Sequence, residues 1–278
     1  MSRVGRPGDG PMEFDYPAPT HVDGRGLVHV RDLRRPRITV VQPDFQVART
    51  VRLPAIAHQA ERLPMGDRWV VNMTIRSAQS LGLPLHIVEG SDLVRSFPTQ
   101  DHASSQALGG IAMRRLLAID RGERIISARI DDFVFEAWTL DGRRIGGFRG
   151  PHLNEIEPRP GPMSEENPPG NKIVDIRIDG GGLLWVASIR AKRDWLDRVE
   201  EVVRRDGTIY LEPIGGDLAS LFTSRIDVVD LNRGAIIARS EREGMVASLL
   251  ADRLALTHEL TTEGVPQLGV WSLSFHQQ

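Results

Sequence analysis

Residues 14 to 51 hold four short apolar stretches in close succession, each set off by turn-forming residues. The turn Asp23-Gly24-Arg25-Gly26 leads into Leu27 to Val30. Arg37 to Val41 then runs to the turn at Pro43-Asp44, and Val47 to Val51 follows. Strands near 17–22, 27–31, 37–41 and 46–51 are joined by links too short for a crossover, so they pair as an antiparallel meander. Looser copies follow, with turns at Met65-Gly66-Asp67, Asp120-Arg121-Gly122-Glu123, Asp179-Gly180-Gly181-Gly182 and Ala251-Asp252. Four strands repeated at a period of about 40 to 50 residues are what a β-propeller blade requires, since each blade is a four-stranded sheet that buries its faces against its neighbours.

The chain therefore reads as all-β, a β-propeller of four-stranded antiparallel blades with five blades visible. They fall near 14–51, 61–97, 114–149, 172–240 and 244–278, within a single domain over 1–278. The last blade offers strands at 246–250, 254–257 and 268–275, and no fourth. An all-β sandwich also gives short alternating strands, but it does not require the same strand–turn–strand order five times.

The stretch GRPGDGPMEFDYPAPTHVDGRGLVHVRDLRRPRITVV resembles the repeat of six-bladed NHL/TolB-like propellers. The likeness is carried by Gly5, Gly8, Gly10, Phe14, Pro17, Asp23, Gly26, Val30, Asp32, Arg37, Ile38 and Val40. It implies a propeller of six-bladed type, akin to bacterial proteins many of which are exported. In such repeats, residues like Ser2 to Gly5 form the tail of a preceding blade. The resemblance thus implies that part of an N-terminal blade is lacking, with an exported or periplasmic location in that case and a cytoplasmic one if the start is genuine. Relatives of this fold that act as lactonases or sugar hydrolases carry a metal through Glu, Asn, Asp or His. Asn72, Asn154 and Glu155 come nearest here and do not complete a set. A metal-dependent hydrolase or lyase is therefore the alternative to a non-catalytic scaffold, for which no catalytic residue, metal ligand or cofactor is expected.

Bulk properties narrow the partners. Lys and Arg number 35 against 37 Asp and Glu, so no global field draws the chain to nucleic acid, and aromatics for base stacking are only 5% of residues. No apolar run approaches the length of a membrane span, and there is no cysteine to form a disulfide or a thiolate site. His21 and His29 fall on adjacent strands without a carboxylate at ligand spacing, which favours packing over zinc.

The connections sort by length. Links between first and second, and between third and fourth, strands of a blade are short. The remaining links, 75–84, 98–115, 149–172, 190–224 and 258–267, are long and leave from the opposite end of each sheet, which marks that end as the functional face. There a partner protein or a small anionic ligand is expected. Arg31, Arg76, Arg129 and Arg190 follow the second strand of successive blades, and His258 stands at the comparable place in the fifth. Together they could form a cationic collar for an anion, or pair with neighbours such as Asp32, Asp131 and Asp132 as struts between blades. Within 190–224, Trp195, Leu196, Val199, Val202 and Val203 recur at helical spacing, predicting an amphipathic helix from Lys192 to Arg205 that serves as a cover, a lid or a partner element. Residues 157 to 170, with five prolines, are expected to be an extended solvated link.

Overall fold

The computed structural model describes residues 8, 10, 12–22, 26–64, 66–75, 83–97, 113–120, 123–151, 163–203, 207–250, 254–260 and 266–274. The fold is a five-bladed β-propeller. The first blade contains β1 (Pro17–Val22), β2 (Val28–Asp32), β3 (Arg37–Val41) and β4 (Val47–Arg52). The second contains β5 (Ala57–Arg62), β6 (Arg68–Met73), β7 (Leu85–Glu89) and β8 (Asp92–Phe97). The third is β9 (Arg115–Asp120), β10 (Arg124–Arg129), β11 (Val134–Thr139) and β12 (Arg144–Arg149). The fourth pairs β13 (Lys172–Ile178), β14 (Leu183–Ala191), β17 (Phe222–Asp230) and β18 (Ala235–Glu243), and encloses a separate hairpin of β15 (Val199–Val203) and β16 (Ile209–Pro213). The fifth has three strands, β19 (Met245–Leu250), β20 (Leu254–Leu260) and β21 (Pro266–Ser272). The chain divides into two compact units, residues 1–128 with 136–146 and residues 129–135 with 147–278, so the boundary runs through the third blade.

Strands inside a blade stack are covered on both faces, which is why they read as continuous apolar runs rather than alternating ones. In β6, Trp69, Val70, Val71 and Met73 are all fully buried. One face, Trp69, Val71 and Met73, packs with Ile38, Val51 and Leu53 of the first blade; Val70, on the other, packs with Leu117, Ile125 and Trp138 of the third. In the second unit, Trp185, Ala187 and Ile189 of β14 meet Val246, Leu249 and Ala255 of the fifth blade. Burial of such side chains contributes roughly 1.5–3 kcal/mol each, the main force holding blade to blade.

The meander also repeats its irregularities. The first strand of four blades shifts register once against the second, between Pro19 and His21, Ala57 and Gln59, Ile173 and Asp175, and Val246 and Ser248. One extra residue in a strand bends it and sharpens its twist. In the fourth blade this shift is tied to the next blade: the Asp175 carboxylate accepts hydrogen bonds from the Ser248 hydroxyl at 2.6 Å and the Leu249 N–H at 2.8 Å.

Three expectations need correction. The second blade begins at Ala57, not near 61. The predicted amphipathic helix over Lys192 to Arg205 does not form; Trp195–Arg198 makes one 3-10 turn and Val199–Val203 is a strand. Trp195 is buried and pins the turn, while the β-branched Val199, Val202 and Val203 favour an extended chain once Gly207, at φ +83°, turns Ile209–Pro213 back alongside them. The stretch 163–170 is not a free link either. Its Met163 packs in the core of the second unit, and Ser164 and Asn167 bond each other's backbone, N–H to C=O, at 3.2 and 3.0 Å.

Candidate functional site

The cationic collar resolves into individual arginines with different surroundings. Arg129 ends β10 and forks onto Asp131, with Nε and Nη2 each 2.8 Å from a carboxylate oxygen. That bidentate pair lies within one connection of the third blade, so it occupies the fork of Arg129 locally and is not a strut between blades. Arg31 is paired with Ala18 and Ile38 in register and lies with Arg114 near His58. Burial, and then the charges of Arg114 and Arg31, hold the His58 imidazole below its usual range. Arg76 lies outside the described residues, as do Asn154 and Glu155. His258 faces Met245 and Leu268 in register, but its side chain is outside what is described.

Arg190 stands opposite Thr223 on one face of β14, and the same sheet face carries Arg225 and Asp227 of β17 and Arg239 and Glu241 of β18. The Asp227 carboxylate is fully buried and accepts from Arg225 Nε and Arg239 Nε, both at 2.7 Å. Arg190 Nε is buried with no hydrogen-bond partner among the described residues. Burial, and then the like charge of Arg225, disfavours its charged form. Two guanidinium groups thus share one buried carboxylate, and Arg190 lies near them within the field of both Glu241 and Asp227. Of this group only Arg190 stood out in the sequence; the alternation Arg225-x-Asp227 and the cross-strand place of Arg239 were the signals for the rest.

Asn72, the nearest approach to a metal ligand, is spent on structure. Its amide donates to the carbonyls of Pro84 at 2.8 Å and Met113 at 2.9 Å, and its Oδ1 accepts from the Arg115 N–H at 2.9 Å. His29 faces His21 in register and is itself buried, its ring 5.1 Å from that of Trp69. No group of three metal-ligating side chains occurs among the described residues.

The insertion between β14 and β17 carries the most exposed apolar surface of the second unit. It leaves the sheet at Lys192, whose N–H donates to Leu221 C=O at 2.9 Å, so the strand ladder closes beneath it. Trp195 is buried and holds the 3-10 turn down, while Leu196, the next residue, is 43% exposed, and Arg198 clasps Asp194 at 2.7 Å. On the hairpin, Val199, Glu201 and Val203 stand across from Pro213, Leu211 and Ile209, so these six share one face. Against that face, Met163 C=O accepts the Leu211 N–H at 3.3 Å and brings in the turn at 164–167. The result is an open pocket of about 520 Å³ lined by Met163, Leu196, Val199, Ile209, Tyr210 and Leu211 together with Ser164, Glu165, Glu166 and Glu201. The sequence reading chose Trp195, Leu196 and Val199 from this element; it missed β16 and the 163–166 segment.

No family model matches the chain, and no curated protein matches its sequence. Solved structures resemble it in fold. They include a streptogramin B lyase (TM-score 0.44, 9% identity, 93% of this chain and 84% of that one). A protein of unknown function from Bacteroides caccae gives TM-score 0.49 and 11% identity over 84% of this chain and 72% of the other. Virginiamycin B lyase from Staphylococcus aureus gives 0.44 and 10% over 93% and 85%. At such identities the likeness concerns the propeller fold alone.

Proposed function

We propose that this chain is a non-catalytic binding scaffold that presents the long-connection ends of its blades to a partner protein. The observation that supports this reading is the insertion at 192–221. It is anchored by one buried tryptophan, Trp195, yet leaves Leu196, Val203, Ile209, Ile214 and Leu218 exposed by 43 to 63%. A loop whose only task was to cover the sheet would turn these side chains inward; apolar surface left outward on a rigidly anchored element suits a partner. Trp195 serves as the anchor, and Leu196 and Val199 as contacts. The family reading that fits best is the six-bladed NHL/TolB-like group, on the repeat at residues 5 to 40.

A second reading, a small anionic ligand, is favoured by Arg190, whose unpartnered Nε lies beside Arg225 and Arg239. Arg31, Arg76, Arg129 and His258 would complete the collar, although the Arg129 fork is occupied by Asp131.

A photo-crosslinking residue placed at position 196, and in a parallel variant at Asn232 in the short turn at the other end of the same blade, tests the first reading in the producing cell. A protein adduct at 196 and none at 232 is expected. Equal adducts at both positions, or none at 196, would overturn it.

A further inference from the structure

The pocket on the insertion has a chemistry of its own. Its lining combines apolar side chains, Met163, Leu196, Val199, Ile209 and Leu211, with charged groups that are entirely acidic, with no Lys or Arg among the described lining residues. Glu165 and Glu166 sit at the tip of the turn closed by Ser164 and Asn167, and the Asn167 N–H also donates to Ser164 Oγ at 3.1 Å, so their place is fixed by the backbone. Glu201 projects from β15 directly across from Leu211. None of these three carboxylates has a hydrogen-bond or ion-pair partner among the described residues. On the same insertion Asp194 holds Arg198, and Glu243 at its base holds Lys192, while Glu200 and Glu212 stand across from each other on the opposite face of the hairpin, away from the apolar lining. Three carboxylates with no counter-charge among the described residues, set around apolar side chains, repel one another and attract a cation that brings apolar surface with it.

The occupant's shape follows from the strands. The apolar strip continues out of the pocket to Val203, 63% exposed, at the far end of β15. Among the described residues that strand is hydrogen-bonded on one side only, to β16. An unpaired strand edge beside an apolar groove suits an extended chain, whose backbone adds to the edge while alternate side chains enter the groove. We infer that the pocket formed by β15, β16 and residues 163–166 binds an extended peptide segment in which a Lys or Arg stands two residues from an apolar side chain, so that both point into the groove. This rests on the partner-protein reading above and names the chemistry of that partner.

Fluorescence anisotropy with three labelled hexapeptides tests it on the full chain, with octylamine as a competing small amine. In each, every second residue is Ser and the residues between alternate Leu with Lys (Leu–Lys), Leu with Glu (Leu–Glu) or Ser with Lys (Ser–Lys). Leu–Lys should bind, and Leu–Glu and Ser–Lys at least tenfold more weakly. The triple variant E165Q/E166Q/E201Q should weaken Leu–Lys binding roughly tenfold with an unchanged melting temperature, since exposed charge pairs each contribute modestly. Leu196→Ser should weaken it by a similar factor. Equal binding of Leu–Glu, or an indifferent triple variant, would overturn the charge assignment; octylamine displacing the peptide at equal concentration would overturn the peptide assignment. If the crosslink at position 196 persists while Leu–Lys does not bind, the partner surface stands and this chemistry falls. If both fail, both readings fall.

Discussion

The Asn72 side-chain oxygen accepts the backbone N–H of Arg115 at 2.9 Å, joining the second strand of one blade to the first strand of the next. Its amide closes the same junction through Met113 C=O and reaches back to Pro84 C=O. All three partners are main-chain groups at a buried position, where water cannot replace the lost bonds.

Replacing Asn72 by Leu should therefore cost about 2–4 kcal/mol, because the Arg115 N–H and the Met113 carbonyl lose this partner together, while Pro84 C=O keeps the Met73 N–H at 3.3 Å. The urea midpoint measures this. A loss under about 1 kcal/mol would show that the junction is held by packing alone.

Phe45 occupies the turn position that Gly142 fills two blades later. In each turn the hydrogen bonds are the same: Phe45 N–H to Gln42 C=O and Gln42 N–H to Gln46 C=O at 2.9 and 2.8 Å, Gly142 N–H to Thr139 C=O and Thr139 N–H to Arg143 C=O at 2.9 Å. Phe45 holds φ at +67° and Gly142 at +83°. A side chain in that left-handed region costs about 1–2 kcal/mol. Phe45→Gly should raise stability by about 1 kcal/mol after the added chain entropy is counted. Gly142→Ala should lower it, since the new Cβ would stand 2.8 Å from the Phe97 ring. Thermal melts of the two variants should shift in opposite directions.

His86 sets a pH dependence. It is fully buried in β7, Nδ1 2.8 Å from Ser96 Oγ and Nε2 3.0 Å from Met73 C=O. Burial pushes its pKa from 6.5 down to about 4. The folded state keeps it neutral while the unfolded state takes a proton, so its contribution is complete above about pH 6.5 and is lost as pH falls toward 4, amounting to about 3 kcal/mol over that window. His86→Gln should flatten the stability profile between those pH values; an unchanged slope would contradict it.

Asp227 and its two arginines separate buried from exposed ion pairs. Asp227→Ala leaves the buried Arg225 without its carboxylate and should cost about 3–5 kcal/mol. Arg239→Ala removes a partner whose side chain is 43% exposed and should cost under about 1 kcal/mol. Chemical denaturation of the two variants distinguishes them.

The blades were legible because apolar strands and glycine turns recur in one order. What escaped was local polarity and context. Strand β5 was hidden by Gln59 and Glu61, which are buried and read as loop residues. The insertion was misread because Trp195, Leu196, Val199, Val202 and Val203 fit helical spacing, while the strand that captures them, Ile209–Pro213, lies beyond that window. The group around Asp227 joins three strands, and only register brings its members together. The importance of the insertion was visible from its length; its acidic pocket required the contact of Leu211 with Met163.

Partner binding through the insertion is tested most directly by removing it. Lys192 and Leu221 are already hydrogen-bonded across the ladder, so residues 193–220 can be replaced by an Asn-Gly turn. The partner recovered by crosslinking at position 196 is then titrated against the intact and the shortened chain. The prediction is a folded protein, with a cooperative thermal transition, whose affinity falls by about two orders of magnitude, as expected when an interface loses its central contacts. A folded, shortened chain that binds the partner as tightly as the intact one would contradict it.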